Sequence, residues 1–288
     1  RNFFGRLQVK QNAEGTINLL VHGTTLHGAQ SQKPDRRREP LTYYHHHGPV
    51  GQLFVGLPGK NPLQEVAVVG LGTGTIAAYG RPGQHFTFYE IDPAVERLAR
   101  DPRYFTYLKD SNSDIRVVLG DARLSLNRVP DAFYDLIVLD AFSSDAIPVH
   151  LLTREALDLY LAKLKSGGVL AFHITNRYLD LKPVVGTLAR AAGLSCLVQA
   201  DRDVTLSQEE DEKKCTSVWV VMAREVQDLG SLLPPRWQPL PGPPEDRPWS
   251  DDFSNILAVC RWNFGDLSEA VVSFWYDLGK GWGTLKEN

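Results

Sequence analysis

The chain has 288 residues, of which 43% are hydrophobic and 23% charged, and its formal net charge is -3. That is an ordinary globular make-up with enough length for a sizeable core; it excludes a disordered chain and gives no reason to expect nucleic acid as a partner. The cysteines Cys196, Cys215 and Cys260 show no C-x-x-C spacing, which argues against a disulfide framework and sets a reduced, cytoplasmic compartment as the expectation. No apolar run reaches the roughly 18 residues of a spanning helix, and the start "RNFFGRLQVK" has no signal-peptide core. The chain begins at Arg1 and its only methionine is Met222, which leads us to expect that residues precede it.

Residues 1–48 hold short alternating runs, "GRLQVKQ" and "TINLLVHG", separated by "NAEG". They predict a small β-rich piece built of hairpin strands. Asp35 to Glu39 reads as a solvated charged loop.

Residues 49–225 change rhythm. The runs "EVAVVG", "HFTFYEI", "IRVVLG", "YDLIVLD", "GGVLAFHI", "SCLVQA" and "SVWVVMA" alternate with helix-like segments. Continuous β-rich runs imply strands covered on both faces, which predicts an α/β domain with a Rossmann-like, doubly wound and mostly parallel sheet. Residues 226–288 open with a proline-rich stretch and read as a linker followed by a capping segment.

The first run enters "VVGLGTGTIAAYG", where Gly70, Gly72 and Gly74 let the backbone turn sharply against a ligand at a helix N-terminus. The second ends at Glu90, where an acid can accept hydrogen bonds from ribose hydroxyls, and the third ends in "GDA", placing Asp121 at the carboxyl edge. A carboxylate there can accept a hydrogen bond from an exocyclic adenine amine. The spacing is G-x-G-x-G and no second phosphate-binding element follows, so a nucleoside with a sulfonium tail fits better than a dinucleotide. The expected co-substrate is S-adenosylmethionine or its decarboxylated form.

The fourth run ends at Asp140, at the same edge, and Asp145 follows in "DAFSSDAIP". Here the sequence resembles the spermidine synthase family of polyamine aminopropyltransferases, through "HGTTLHGAQ", "YYHHHGPVGQLF", "VVGLGTGT", "FYEID", "LGDAR", "YDLIVLDAFSSDAIP" and "LLTREAL". It is most similar to a divergent bacterial branch often fused to an N-terminal membrane region. The resemblance implies a S-adenosylmethionine-methyltransferase type of sheet, a homodimer and a polyamine or other amine as acceptor. Asp140 would take the proton of the attacking amine and Asp145 would hold an ammonium group. Tyr44 and His45 would line the substrate channel, with His27 or Gln30 standing for the hairpin glutamine. Glu90, Ile91, Asp121 and Ala122 would surround the nucleoside.

The sequence departs from the family at Thr73, where an aspartate usually binds the amine of the transferred group, and in the wider spacing of Asp140 and Asp145. Asp251 and Asp252, in "PWSDDFSN", are candidates to supply compensating anions; a helix N-cap at Ser250 or Asp251 is the simpler reading. Three successive histidines, His45 to His47, would point apart on a regular element, so no metal is expected. His173 reads as a strand-end histidine. A class I methyltransferase and a non-catalytic nucleoside or polyamine sensor are the alternatives.

Overall fold

The computed structural model describes residues 6–23, 25–57, 63–141, 148–202, 204 and 213–261. Near the N-terminus, β1 (Leu7–Gln11), β2 (Ile17–His22) and β3 (Thr25–Ser31) pair antiparallel in that order. The first turn is held by Asn12, whose Oδ1 accepts from the backbone N–H of Thr16 at 2.7 Å and of Ile17 at 2.8 Å. This sheet has only a small apolar cluster of its own, Leu19, Ala29 and Leu41. Gln30 ties it to the rest of the chain, with Oε1 accepting from Thr106 N at 2.7 Å and Nε2 donating to Arg37 O at 2.8 Å.

The main sheet contains β4 (Glu65–Val69), β5 (His85–Glu90), β6 (Asp114–Leu119), β7 (Tyr134–Leu139), β8 (Leu164–His173), β9 (Ser195–Asp201), β10 (Ser217–Ala223) and β11 (Gln238–Pro239). Their order is β11-β9-β10-β8-β7-β4-β5-β6. Strands β6, β5, β4, β7 and β8 run parallel, while β10 is antiparallel to both its neighbours. This is the mostly parallel sheet of the S-adenosylmethionine-methyltransferase type expected from the sequence.

Alternate residues of the same strand enter opposite cores. Val66 and Val68 of β4 join Leu136 and Val138 of β7 in one apolar cluster, whereas Ala67 and Val69 join Ile137 and Leu139 in the other. Both faces are therefore dry, which is why these strands read as unbroken apolar runs. The helices flank them: α1 (Pro49–Gly56), α2 (Pro93–Arg100), α3 (Tyr107–Asp110), α4 (Ala122–Leu126), α5 (Arg154–Lys163) and α6 (Lys182–Ala191). Asp92, Asp121 and Thr153 cap α2, α4 and α5 by accepting backbone N–H groups.

Three expectations need correction. The glycine turn leads into a five-residue 3-10 turn, Thr75–Tyr79, and not a regular helix; the sequence Gly80-Arg81-Pro82-Gly83 supplies the stop. The proline-rich stretch is no free linker either. Trp237 and Trp249 are buried in opposite cores, and Gln238 and Pro239 add an edge strand to β9. No N-cap of a regular helix forms at Ser250 or Asp251; Ser250 instead makes an isolated bridge to Phe253. The aromatic segment 269–282 lies outside the described residues. Among the described residues no helix is long and apolar enough to cross a membrane.

Candidate active site

Parallel strands that start at one edge finish at the other, so the acids after β5, β6 and β7 share the carboxyl rim. The backbone continues the ladder beyond the strands: Gly70 N donates to Tyr89 O at 2.8 Å, Asp140 N to Val69 O at 2.8 Å and Gly120 N to Glu90 O at 2.9 Å. Gly70 is required by this closeness. Its φ is +98°, and a Cβ there would lie 2.2 Å from the carbonyl oxygen of Asp140. Gly72, at φ +53°, meets the carbonyl oxygen of His27 in the same way, at 2.5 Å, so β3 lies over the glycine turn.

Glu90 shapes that turn from below. Its Oε2 accepts from Leu71 N at 3.0 Å and its Oε1 from Asp92 N at 2.8 Å. Burial raises its pKa above the usual carboxylate value, while those backbone donors pull the other way. Each oxygen keeps a further lone pair, so a ribose contact is compatible with this second duty. Ile91 beside it is half-exposed at the rim.

Asp140 is the most constrained of the acids. Tyr44 Oη donates to Oδ2 at 2.6 Å, and His173 Nδ1 lies 2.7 Å from Oδ1. The side chains of Asp140 and His173 are 7% and 4% exposed. Tyr44 is positioned by the turn before α1, where the hydroxyl of Tyr79 donates to its carbonyl oxygen. Burial, then the charge of Asp140, holds the Tyr44 phenol well above its ordinary pKa, so it remains a donor. Behind the pair, Thr175 Oγ1 lies 2.6 Å from His173 Nε2, and the His173 ring stacks on Trp219 at 4.6 Å and 9°. From sequence alone His173 reads as a strand-end residue, and its place at the end of β8, on the carboxyl rim, is the signal that points to it.

The hairpin candidates separate. Gln30 is buried and engaged with Thr106 and Arg37, whereas His27 sits over the glycine turn. Thr73 is buried and lies 2.7 Å from Thr75, Oγ1 to Oγ1, so this position carries a neutral hydroxyl pair. His45 is buried against His46 and His47, with ring centroids 4.2 and 5.2 Å away. Burial first, then the neighbouring imidazoles, lowers its pKa to about 3. The expectation that the three rings diverge fails, because this segment is a turn; their ligand atoms come within 4.8 Å of one another.

Asp121 follows Gly120 at the end of β6. Its Oδ1 accepts from Leu124 N at 2.9 Å as the cap of α4, and His150 Nε2 lies 3.4 Å from Oδ2. Ala122 is buried behind it. Asp121, Leu124, Asn127, His150 and Glu155 border a surface cleft of about 530 Å³. Asp251 lies on this side, held by Arg123 through two 2.7 Å contacts and by Thr153 Oγ1 at 2.8 Å. Its charge is thereby neutralised within the protein, and Asp252 is exposed. Asp145 lies outside the described residues.

No protein-family model matches the chain. A polyamine aminopropyltransferase of Vibrio vulnificus is 40% identical over 153 residues, which is 51% of this chain and 48% of the relative. A putative O-methyltransferase of Mycobacterium bovis is 31% identical over 166 residues, covering 56% of this chain and 66% of that one. The solved structure of a probable spermidine synthase from Corynebacterium glutamicum superposes with a TM-score of 0.59 at 14% identity, covering 81% of this chain and 87% of that one. The chain spans about half the length of the curated aminopropyltransferase relatives it matches. Over about half its length the chain is similar in sequence to a polyamine aminopropyltransferase, and its fold is similar to that of a probable spermidine synthase.

Proposed function

We propose that the chain is a transferase that moves an aminopropyl or related group from a S-adenosyl donor to a polyamine or other amine, with Asp140 as the general base. The observation that carries this reading is the buried carboxylate of Asp140, held by Tyr44 and His173 beside the glycine turn. Glu90, Ile91, Asp121 and Ala122 would take the nucleoside, and Gly70 and Gly72 would let its tail approach the backbone. His27, Tyr44 and His45 would border the acceptor. A homodimer and an ammonium contact at Asp145 belong to the same proposal.

An acceptor amine is a cation near neutral pH, its reference pKa being about 10.4 in the lysine-like case. It must lose a proton before its lone pair can attack. Asp140 takes that proton as the new N–C bond forms and the C–S bond breaks, with the bonding pair returning to sulfur as a neutral thioether. General-base help of this kind is worth about 10²- to 10⁴-fold. The remaining barrier falls through alignment of nitrogen, carbon and sulfur.

Methyl transfer from the intact donor is the second reading, and Thr73 is the observation that favours it. A buried hydroxyl pair offers no charge to the amine of an aminopropyl tail. Incubation with S-adenosylmethionine and with its decarboxylated form, each with putrescine or spermidine, followed by mass spectrometry, tests both. The proposal expects aminopropylated amine and the matching thioether nucleoside. Methylated products alone would establish the second reading, and tight binding without any product would leave a sensor.

A further inference from the structure

We propose that His173 is a positioning residue for Asp140: a neutral imidazole held as the Nδ1–H tautomer, whose donated hydrogen bond fixes the carboxylate and leaves Asp140 as the end of the proton path. This rests on the reading of Asp140 as the base.

The donor sequence is set from β10 outward. Val218 N donates to Thr175 Oγ1 at 2.8 Å. A hydroxyl that accepts there still has its own proton to place, and His173 Nε2 lies 2.6 Å away. At the other end, an ionised carboxylate only accepts, so the His173 nitrogen 2.7 Å from Asp140 Oδ1 must bring the hydrogen. A single neutral ring serves both ends: Nε2 accepting from Thr175, Nδ1–H donating to Asp140. Stacking on Trp219 at 9° fixes the ring plane.

A consequence follows for the reaction. On its two sides Asp140 meets groups that already carry protons, the Tyr44 phenol and Nδ1–H of His173. Neither has a vacant site facing the carboxylate, so the proton removed from the amine stays on Asp140 until product leaves. His173 acts by orientation, the duty that outer hydrogen-bond partners perform for a reacting group.

The test joins a spectroscopic and a kinetic arm on the full chain. In ¹⁵N-histidine NMR, His173 should show Nδ1 protonated and Nε2 unprotonated, with both signals displaced in Asp140→Asn. In H173L, kcat should fall about 10- to 100-fold with a smaller change in KM. H173N, whose amide can donate from the place of Nδ1, should recover most of that loss; a ring that must accept a proton would not be replaced by Asn. Because His173 acts through Asp140, the double variant Asp140→Asn with His173→Leu should be no slower than Asp140→Asn alone. A protonated Nε2, whether Nδ1 is bare or protonated, failure of H173N to rescue, or additive losses in the double variant would overturn the proposal. Should no transfer be found under any condition, the reading of function falls, while the NMR tautomer still decides the state of His173. T175V, which removes the hydroxyl behind the ring, covers the case in which H173L does not fold and should loosen the tautomer preference.

Discussion

Tyr44, in a turn of the N-terminal third, donates its hydroxyl to Asp140 at the end of the fourth parallel strand, 2.6 Å away and 96 residues along the chain. Hydrogen bonds to a charged partner are worth about 1.5 to 3 kcal/mol. Tyr44→Phe keeps the ring packed and removes that bond, so kcat/KM should fall roughly 10- to 100-fold. Steady-state kinetics beside a thermal melt would check this; the melting temperature should move little compared with the rate.

The same phenol belongs to a buried set with Tyr79, Tyr107 and Tyr160, all raised above the ordinary value of 10.0, with burial as the leading cause. The folded chain therefore retains these protons where the unfolded chain would lose them. Their contribution to stability is complete below about pH 10 and declines as pH rises toward the folded values. Urea unfolding between pH 8 and 11 should give a flat stability followed by a steady loss above about pH 10.

His45 predicts the opposite limb. Its pKa drops from 6.5 to about 3 because burial and two neighbouring imidazoles disfavour the charge. Between those values the unfolded chain binds a proton that the folded chain refuses, so stability declines as pH falls below 6.5. His45→Gln, followed by denaturant titration from pH 7 to 4, should flatten that decline.

Gly70→Ala tests the closeness of the turn to Asp140. The added Cβ would lie 2.2 Å from a carbonyl oxygen, at a φ of +98°. Strain and forced repacking should cost about 1 to 3 kcal/mol and disable nucleoside binding. Calorimetric titration with a thioether nucleoside, beside a melt, would read both.

Asp251 offers a contrast. Its pair with Arg123 is partly exposed, at 43% and 22% of the two side chains, so Asp251→Ala should cost no more than about 1 kcal/mol. Amine KM should stay within about twofold. A large rise in KM would return Asp251 to the substrate pocket, where the sequence alone had suggested a place for it.

The sheet was legible because burial of both faces marks its inner strands, β4, β7, β8 and β10, and because the seven apolar runs from "EVAVVG" to "SVWVVMA" correspond to β4 through β10, the less buried β6 and β9 included. The rim acids were legible because a strand end is a position along the chain. What stayed hidden came from distance in sequence. That Gln30 would be consumed by Thr106, 76 residues away, or Asp251 by Arg123, 128 residues away, has no local signature. The docking of the proline-rich stretch is hidden for a related reason. Prolines argue against regular structure, but Trp237 and Trp249 bring enough apolar surface to dock the segment on both cores. The partner of His173 is hidden as well, since one histidine on an apolar run does not reveal that Asp140 ends the neighbouring strand.

The most direct test of the account is the rate of group transfer by Asp140→Asn, measured in single turnover with donor and amine saturating and with nucleoside binding followed separately. The account expects binding within a few-fold of the unchanged chain and transfer slowed about 10²- to 10⁴-fold. Transfer at the original rate, with the nucleoside bound as before, would contradict it.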